Sequence, residues 1–418
     1  MIVRARVVVT MDGPPIQNGA VQVHGPEIVQ VGKFAELAAT SDDVVDLGEH
    51  ILLPGLINAH CHLDYTCLRG RIPPCQSFST WIRAINAEKA KLSAPAYLAS
   101  IHAGFAEARK FGTTTIANLT AVPELIGQIH DPTRTWWFAE LIDVRKGTEN
   151  LTALSSQVSS RNEMVHRAVE NLKSAKNKGL APHAPFTASA DLYRYCQEIG
   201  AEQNILLTTH VGESREEMQM FRDASGPLYD FLKEIGRDMT DCGATTPLEA
   251  FVRNLDVPQR NPLTSLGMTR PWIIAHLNEL TERDFDLLGR IPQKFTIVHC
   301  PRSHAYFGHS KFEFEALQEL GLNISLGTDS LASNEDLSLF AEMRIFCERF
   351  RQKPEKTLEM VTTNAARALG MENSLGKLKT TFLADMIALP FIESGDPHET
   401  ILKFDAKVPW IMLNGKTA

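Results

Sequence analysis

Paired cysteines, a basic surface and a long apolar run are all missing from this chain. Its seven cysteines are scattered and none sits in a CxxC spacing. An odd, dispersed set of this kind reads as reduced thiols in a cytoplasmic protein, not as a disulfide framework. Lys and Arg number 42 against 50 Asp and Glu, a formal charge of −8. That balance gives no cationic footprint for a nucleic-acid partner. No window approaches the uninterrupted apolar length of a membrane helix. The opening "MIVRARVVVTMDG" lacks the apolar core and cleavage site of a signal peptide and reads as a strand of alternating character. Internal repeats and low-complexity tracts are absent as well.

The composition is that of an ordinary globular protein, 44% hydrophobic and 22% charged over 418 residues. Up to residue 53 the chain consists of short β-branched runs punctuated by Gly and Asp, which predict strands and tight turns. The pattern changes at Pro54. Short apolar runs then alternate with stretches of helical period. One such stretch, "APAYLASIHAGFAEARKFG", ends at Gly112, a helix stop. The apolar runs are "GLINAHCH", "TTTIANLT", "TWWFAELID", "GLAPHAP", "ILLTTHVGE", "WIIAHLN", "FTIVHCP" and "NISLGTDS". Eight β–α units predict an α/β fold, a (β/α)8 barrel of the TIM type. After residue 370 short strands return in "FLADMIALP" and "VPWIMLNGK". The expected organisation is a barrel over 54–370 and a small β-sandwich built from both chain ends, 1–53 and 371–418.

Polar residues recur where these strands end. The first closes on His60 and His62, the fourth on His183, the fifth on His210, the sixth on His276, the seventh on His299 and the eighth on Asp329. In a barrel those ends surround one mouth. Residues i and i+2 of an extended segment face one side, so His60 and His62 converge on a point. They read as two ligands of a metal whose others come from the fifth and eighth strands. Three imidazoles and one carboxylate suit zinc or iron and leave a position for water. Glu213, three residues after His210, is placed to move protons without binding the ion. Taken singly, each residue has a plain structural reading: His210 as a satisfied core histidine, Asp329 as a turn cap, His299 as packing, His304 and His309 as loop residues. Cys61, between the two histidines, points to the opposite face and reads as packing. The joint order carries the case.

That order, in "PGLINAHCHLD", "PHAPFTAS", "HVGES", "AHLNELTERD" and "GTDSLASNEDLSLFAEMR", resembles the amidohydrolase superfamily. The likeness is to its branch of cytosine/guanine deaminases, chlorohydrolases and adenosine-type deaminases, including those acting on methylthioadenosine, S-adenosylhomocysteine and aminodeoxyfutalosine. The resemblance implies that His60, His62, His210 and Asp329 ligate one divalent ion, zinc before iron. It further implies that Glu213 shuttles protons, that His276 stabilises the substrate, that Asp329 accepts a proton from water and that His183 contacts the substrate. Binuclear members bridge their ions with a modified lysine at the end of the fourth strand. "GLAPHAP" has none, which implies a mononuclear site. Trp81 stands where the branch places a lid tryptophan, and either stacks on a base or packs on its own helix. Arg302 in "CPRSH" either binds a substrate carboxylate or makes a surface salt bridge. The implied activity is hydrolytic deamination of an aminopurine nucleoside, with guanine deamination and s-triazine or chloro hydrolysis as alternatives. A barrel that had become a binding protein would show gaps in the ligand set, and none is visible. The substrate is a small molecule, and a homodimer is the assembly that barrels of this type often form. Two departures stand out. Thr381 in "TTFLADMIALP" occupies a position where the branch has Gly, and the "CPRSHAYFGH" loop is more elaborate than the common pattern.

Overall fold

The computed structural model describes residues 1–40, 43–75, 77–144, 161–255, 271–291, 295–391 and 395–417. The punctuated β-branched runs form β1 (Ile2–Val8), β2 (Ile16–His24), β3 (Glu27–Lys33), β4 (Val44–Asp46) and β5 (His50–Pro54). The chain turns at Gly55 into β6 (Leu56–Cys61), followed by β7 (Thr113–Thr120), β8 (Arg134–Leu141) and β9 (Asn177–Pro182). Next come β10 (Leu206–Val211), β11 (Ile273–His276), β12 (Thr296–His299) and β13 (Asn323–Leu326). Each of these eight pairs in parallel with the next, in sequence order. They are the eight apolar runs of the sequence. Parallel strands covered on both faces are apolar throughout, and β6 and β7 are buried at every residue.

The ring closes between β13 and β6. Thr328 and Asp329 both donate backbone N–H to the His60 carbonyl, each at 3.1 Å. Asn58 adds two side-chain bonds to Thr328, at 2.7 Å through its amide nitrogen and 3.2 Å through its oxygen. A Cβ on Gly327 would lie 2.6 Å from the His60 carbonyl oxygen, so only glycine lets the two strands approach this closely.

The chain ends meet as expected. β14 (Met386–Pro390) pairs antiparallel with β5, and β15 (Trp410–Leu413) and β16 (Lys416–Thr417) extend the same edge. Hydrogen bonding runs as one continuous sheet, β16-β15-β14-β5-β1-β2-β3, with β4 on β1. It encloses its own apolar core, including Val3, Val21, Leu52, Phe382, Met386 and Met412. Thr381, just before β14, has φ of 73°, a left-handed conformation that favours Gly.

Two helices matter for the site. Ala94–Lys110 is capped by Ser93 and stops at Gly112, whose φ is 77°. Phe78–Lys89 lies over the barrel mouth. Glu216 accepts the N–H groups of Phe78 and Ser79 at 2.8 and 3.0 Å, two of the donors that a helix start leaves free. No helix among the described residues is long and apolar enough to cross a membrane.

Candidate active site

At the C-terminal mouth of the ring the structure brings His60, His62, His210, His276, Glu213 and Asp329 together. All six are buried. Three overlapping groups have potential ligand atoms within 4.8 Å of one another: His60, His210 and His276; His60, His62 and Asp329; and Glu213, His276 and Asp329. The Nε2 atoms of His60 and His62 each lie 3.8 Å from Asp329 Oδ1. The His60 ring centroid is 5.0 Å from that of His62 and 4.9 Å from that of His210.

These residues fit a divalent ion. Both ring nitrogens of His60 are buried without a hydrogen-bond partner among the described residues. Buried donors and acceptors are seldom left so. His210 donates Nδ1–H to the His183 carbonyl at 2.8 Å, which turns its Nε2 to the site. Ser303 and Ser333 donate to Asp329 Oδ2 at 2.6 and 3.2 Å and leave Oδ1 to face the imidazoles. Two of these imidazoles, His62 and His210, are made poor bases, which suits them to hold a metal. Burial first, then the neighbouring His60, holds His62 well below the usual range and pushes His210 down to about 4.

The two carboxyls are driven apart. Burial raises Glu213 well above the usual carboxylate range, and the Asp329 and Glu217 charges add to it. At Asp329 burial also acts upward, but the imidazoles of His60, His276 and His62 outweigh it and hold the group well below its ordinary value. The two environments thus shift the carboxyls in opposite directions, the pattern that separates an acid from a base. Glu213 Oε2 lies 3.7 Å from His276 Nε2. Its backbone is fixed on both sides: the Glu213 N–H donates to Glu217 at 2.8 Å, and Asn278 donates to the Glu213 carbonyl at 3.0 Å. His276 and Leu277 take φ values of 74° and 52°, a strained strand exit that folds Asn278 back over Gly212.

A cleft with about 850 Å³ of empty space, its open mouth included, leads to this cluster. Trp81 and His183 line it, as do Phe186 and Phe231. Trp81 stacks on Phe78 with ring planes 15° apart. His183 is held by Thr187 at 2.6 Å through Nδ1, and its Nε2 lies 3.9 Å from Glu140.

The structure does not bring Arg302 to this cleft. Its guanidinium bonds Asp336 at 2.6 Å and Glu335 at 3.0 Å, which is the salt-bridge alternative of the sequence reading. His299 is a packing residue, fully buried and stacked on Phe312 at 4.0 Å. His304 is not an ordinary loop residue: it is buried, donates Nε2–H to the Ser310 carbonyl and accepts from Arg349 at Nδ1, each at 2.8 Å. Cys61 is buried facing Asn118. Two charged cleft residues escaped the sequence reading. Glu140 is the next-to-last residue of β8 and could have been found by the same strand-end rule. Lys89 ends the covering helix, where no rule points to it.

Residues 51–418 match the model of the amidohydrolase family. The chain is 26% identical over 414 residues to the 5-methylthioadenosine/S-adenosylhomocysteine deaminase of Pyrococcus furiosus, across 95% of this chain and 87% of that one. A zinc-bound adenosine deaminase from Xanthomonas campestris shares the fold with a TM-score of 0.81 at 23% identity, over 100% of this chain and 92% of that one. The Helicobacter pylori aminofutalosine deaminase in complex with methylthio-coformycin does so with a TM-score of 0.83 at 20% identity, over 100% and 99%.

Proposed function

The chain belongs to the amidohydrolase family, and from that premise we propose that it is a hydrolytic deaminase of aminopurine-nucleoside-like substrates working with one divalent ion. The observation that carries the reading is the convergence of His60, His62, His210 and His276 with Glu213 and Asp329 at the barrel mouth, in three overlapping groups whose possible ligand atoms lie within 4.8 Å of one another. The deaminase names of its relatives support it. His60, His62, His210 and Asp329 would hold the ion, and zinc suits their three imidazoles and one carboxylate. Bound there, the ion supplies Lewis acidity that lowers the pKa of a coordinated water.

The chain's own groups move the protons. Asp329 accepts one from the attacking water as a C–O bond forms at the amidine carbon. The C=N pair shifts to the ring nitrogen, which takes the proton of Glu213. His276 steadies the oxygen as charge develops. The tetrahedral carbon then collapses: Glu213 takes back the hydroxyl proton, Asp329 passes its proton to the amino group, and ammonia leaves. A 6-aminopurine becomes a 6-oxopurine. His183 and the aromatic wall at Trp81 orient the base.

Ammonia release by zinc-loaded protein tests this. The substrates are adenosine, 5-methylthioadenosine, S-adenosylhomocysteine and aminofutalosine, with guanine and an aminotriazine beside them. Turnover of the nucleosides is expected. Turnover of guanine or the triazine alone would overturn the nucleoside reading and leave the proton chemistry standing.

A further inference from the structure

Lys89 is the last residue of the helix over the mouth and lines the same cleft as His62, Glu213 and His276. Its ammonium stands 4.7 Å from the Tyr65 ring centroid. Among the described residues no hydrogen bond or ion pair within 4.0 Å engages that ammonium. Lys89 is half-buried at a cleft walled by Phe186, Phe231 and Trp81, so its ammonium is open to an anion that enters there.

Arg302, the cation that the sequence offered for a substrate anion, is already consumed by Asp336 and Glu335. We propose that Lys89 is the specificity-determining residue that holds a carboxylate on the non-reacting part of the substrate. The inference rests on the deaminase reading and names the substrate class within it: aminopurine-nucleoside-like molecules carrying a carboxylate. A carboxylate fits better than a phosphate. Glu140 and Asp329 line the same cleft, and one ammonium among such carboxyls balances a single negative charge and not two.

Steady-state kinetics of S-adenosylhomocysteine, its carboxyl methyl ester, 5-methylthioadenosine and adenosine monophosphate decide the matter. Wild type, Lys89→Met and Lys89→Arg are compared. Lys89→Met should lower kcat/KM for the free acid by roughly 10- to 100-fold, mainly through KM, as loss of a charged hydrogen bond does. The ester and 5-methylthioadenosine should lose at least tenfold less, and Lys89→Arg should keep most of the preference for the acid. An equal loss on all substrates would make Lys89 a structural residue and overturn the proposal. So would a wild type that does not separate acid from ester. Adenosine monophosphate favoured over the acid, with the same dependence on Lys89, would overturn the carboxylate in favour of phosphate. Deamination of none of the four by wild type overturns the deaminase reading itself, a result distinct from lost selectivity.

Discussion

Glu213 is the residue on which the proposed chemistry turns, because it must carry a proton that an exposed carboxylate would have lost. Replacing it with Gln keeps the shape and removes the proton transfer. Glu213→Gln should lower kcat by about 10²- to 10⁴-fold while metal content, read by elemental analysis, stays at the wild-type level. Loss of the metal as well would move Glu213 into the ligand set. Two further buried acids carry a pH signature. Burial pushes Glu342 up to about 8 against the hydrogen bonds from the Arg302 N–H and the Asn334 amide. Glu217 is likewise pushed up to about 8 by burial. Each holds its proton longer in the native state than in the unfolded chain. Stability should therefore fall as pH rises from the ordinary carboxylate range and level off above about 8, at about 1.4 kcal/mol per pH unit for each group inside the window. Denaturant titrations at pH 5.5 and 8.5 check the sign, and Glu342→Gln should lose less stability between the two than wild type.

At the level of elements, the turn before β14 shows how a local residue choice is overruled by the fold. Thr381 donates its N–H to the Ile28 carbonyl at 2.8 Å and holds a φ of 73°. A β-branched residue pays about 1–2 kcal/mol for that conformation. Thr381→Gly removes the strain and gives back part of the gain as entropy of the unfolded chain. A net stabilisation of about 1 kcal/mol is expected, seen as a rise in Tm with unchanged kcat; a fall in Tm would mean that the threonine side chain contributes a contact worth more than the strain. The eight barrel strands were legible because each is a short apolar run and six of them end in a polar residue, five of which reach one mouth while His299 packs away from it. The pairing of β5 with β14 was legible only as a composition shift, since its register depends on contacts between opposite ends of the chain. Arg302 illustrates a signal overlooked: "NED" in the loop after Asp329 supplies Glu335 and Asp336, which take up its guanidinium. Lys89 was not legible at all, because a lysine at a helix end reads as a dipole partner unless the helix is known to cover a cleft.

Across the whole molecule, a buried ion pair helps to join the barrel and the end sheet. Arg134, the first residue of β8, donates from Nε and Nη2 to Asp385 Oδ2 at 3.1 and 3.0 Å. The two side chains are 8% and 3% exposed. Asp385 also accepts the Asn414 N–H at 2.6 Å and, through its carbonyl, the Gly55 N–H at 2.9 Å. It therefore touches the barrel, the last hairpin and the crossing between the two sheets. Removing one partner of a buried pair leaves the other charge stranded, and Asp385→Ala should cost about 3–5 kcal/mol. The histidine–carboxylate cluster lies at the far end of the strands. Glu140 reaches the cleft six residues along β8 from Arg134, about 20 Å at the rise of a strand. The surviving folded enzyme should therefore keep kcat/KM within about twofold of wild type, because separated sites respond independently. Denaturant unfolding and steady-state kinetics on the same preparation separate the two effects. An intact midpoint with lost activity would mean that the end sheet sets the geometry of the mouth; a lowered midpoint with intact kinetics assigns it to holding the barrel's opposite end closed.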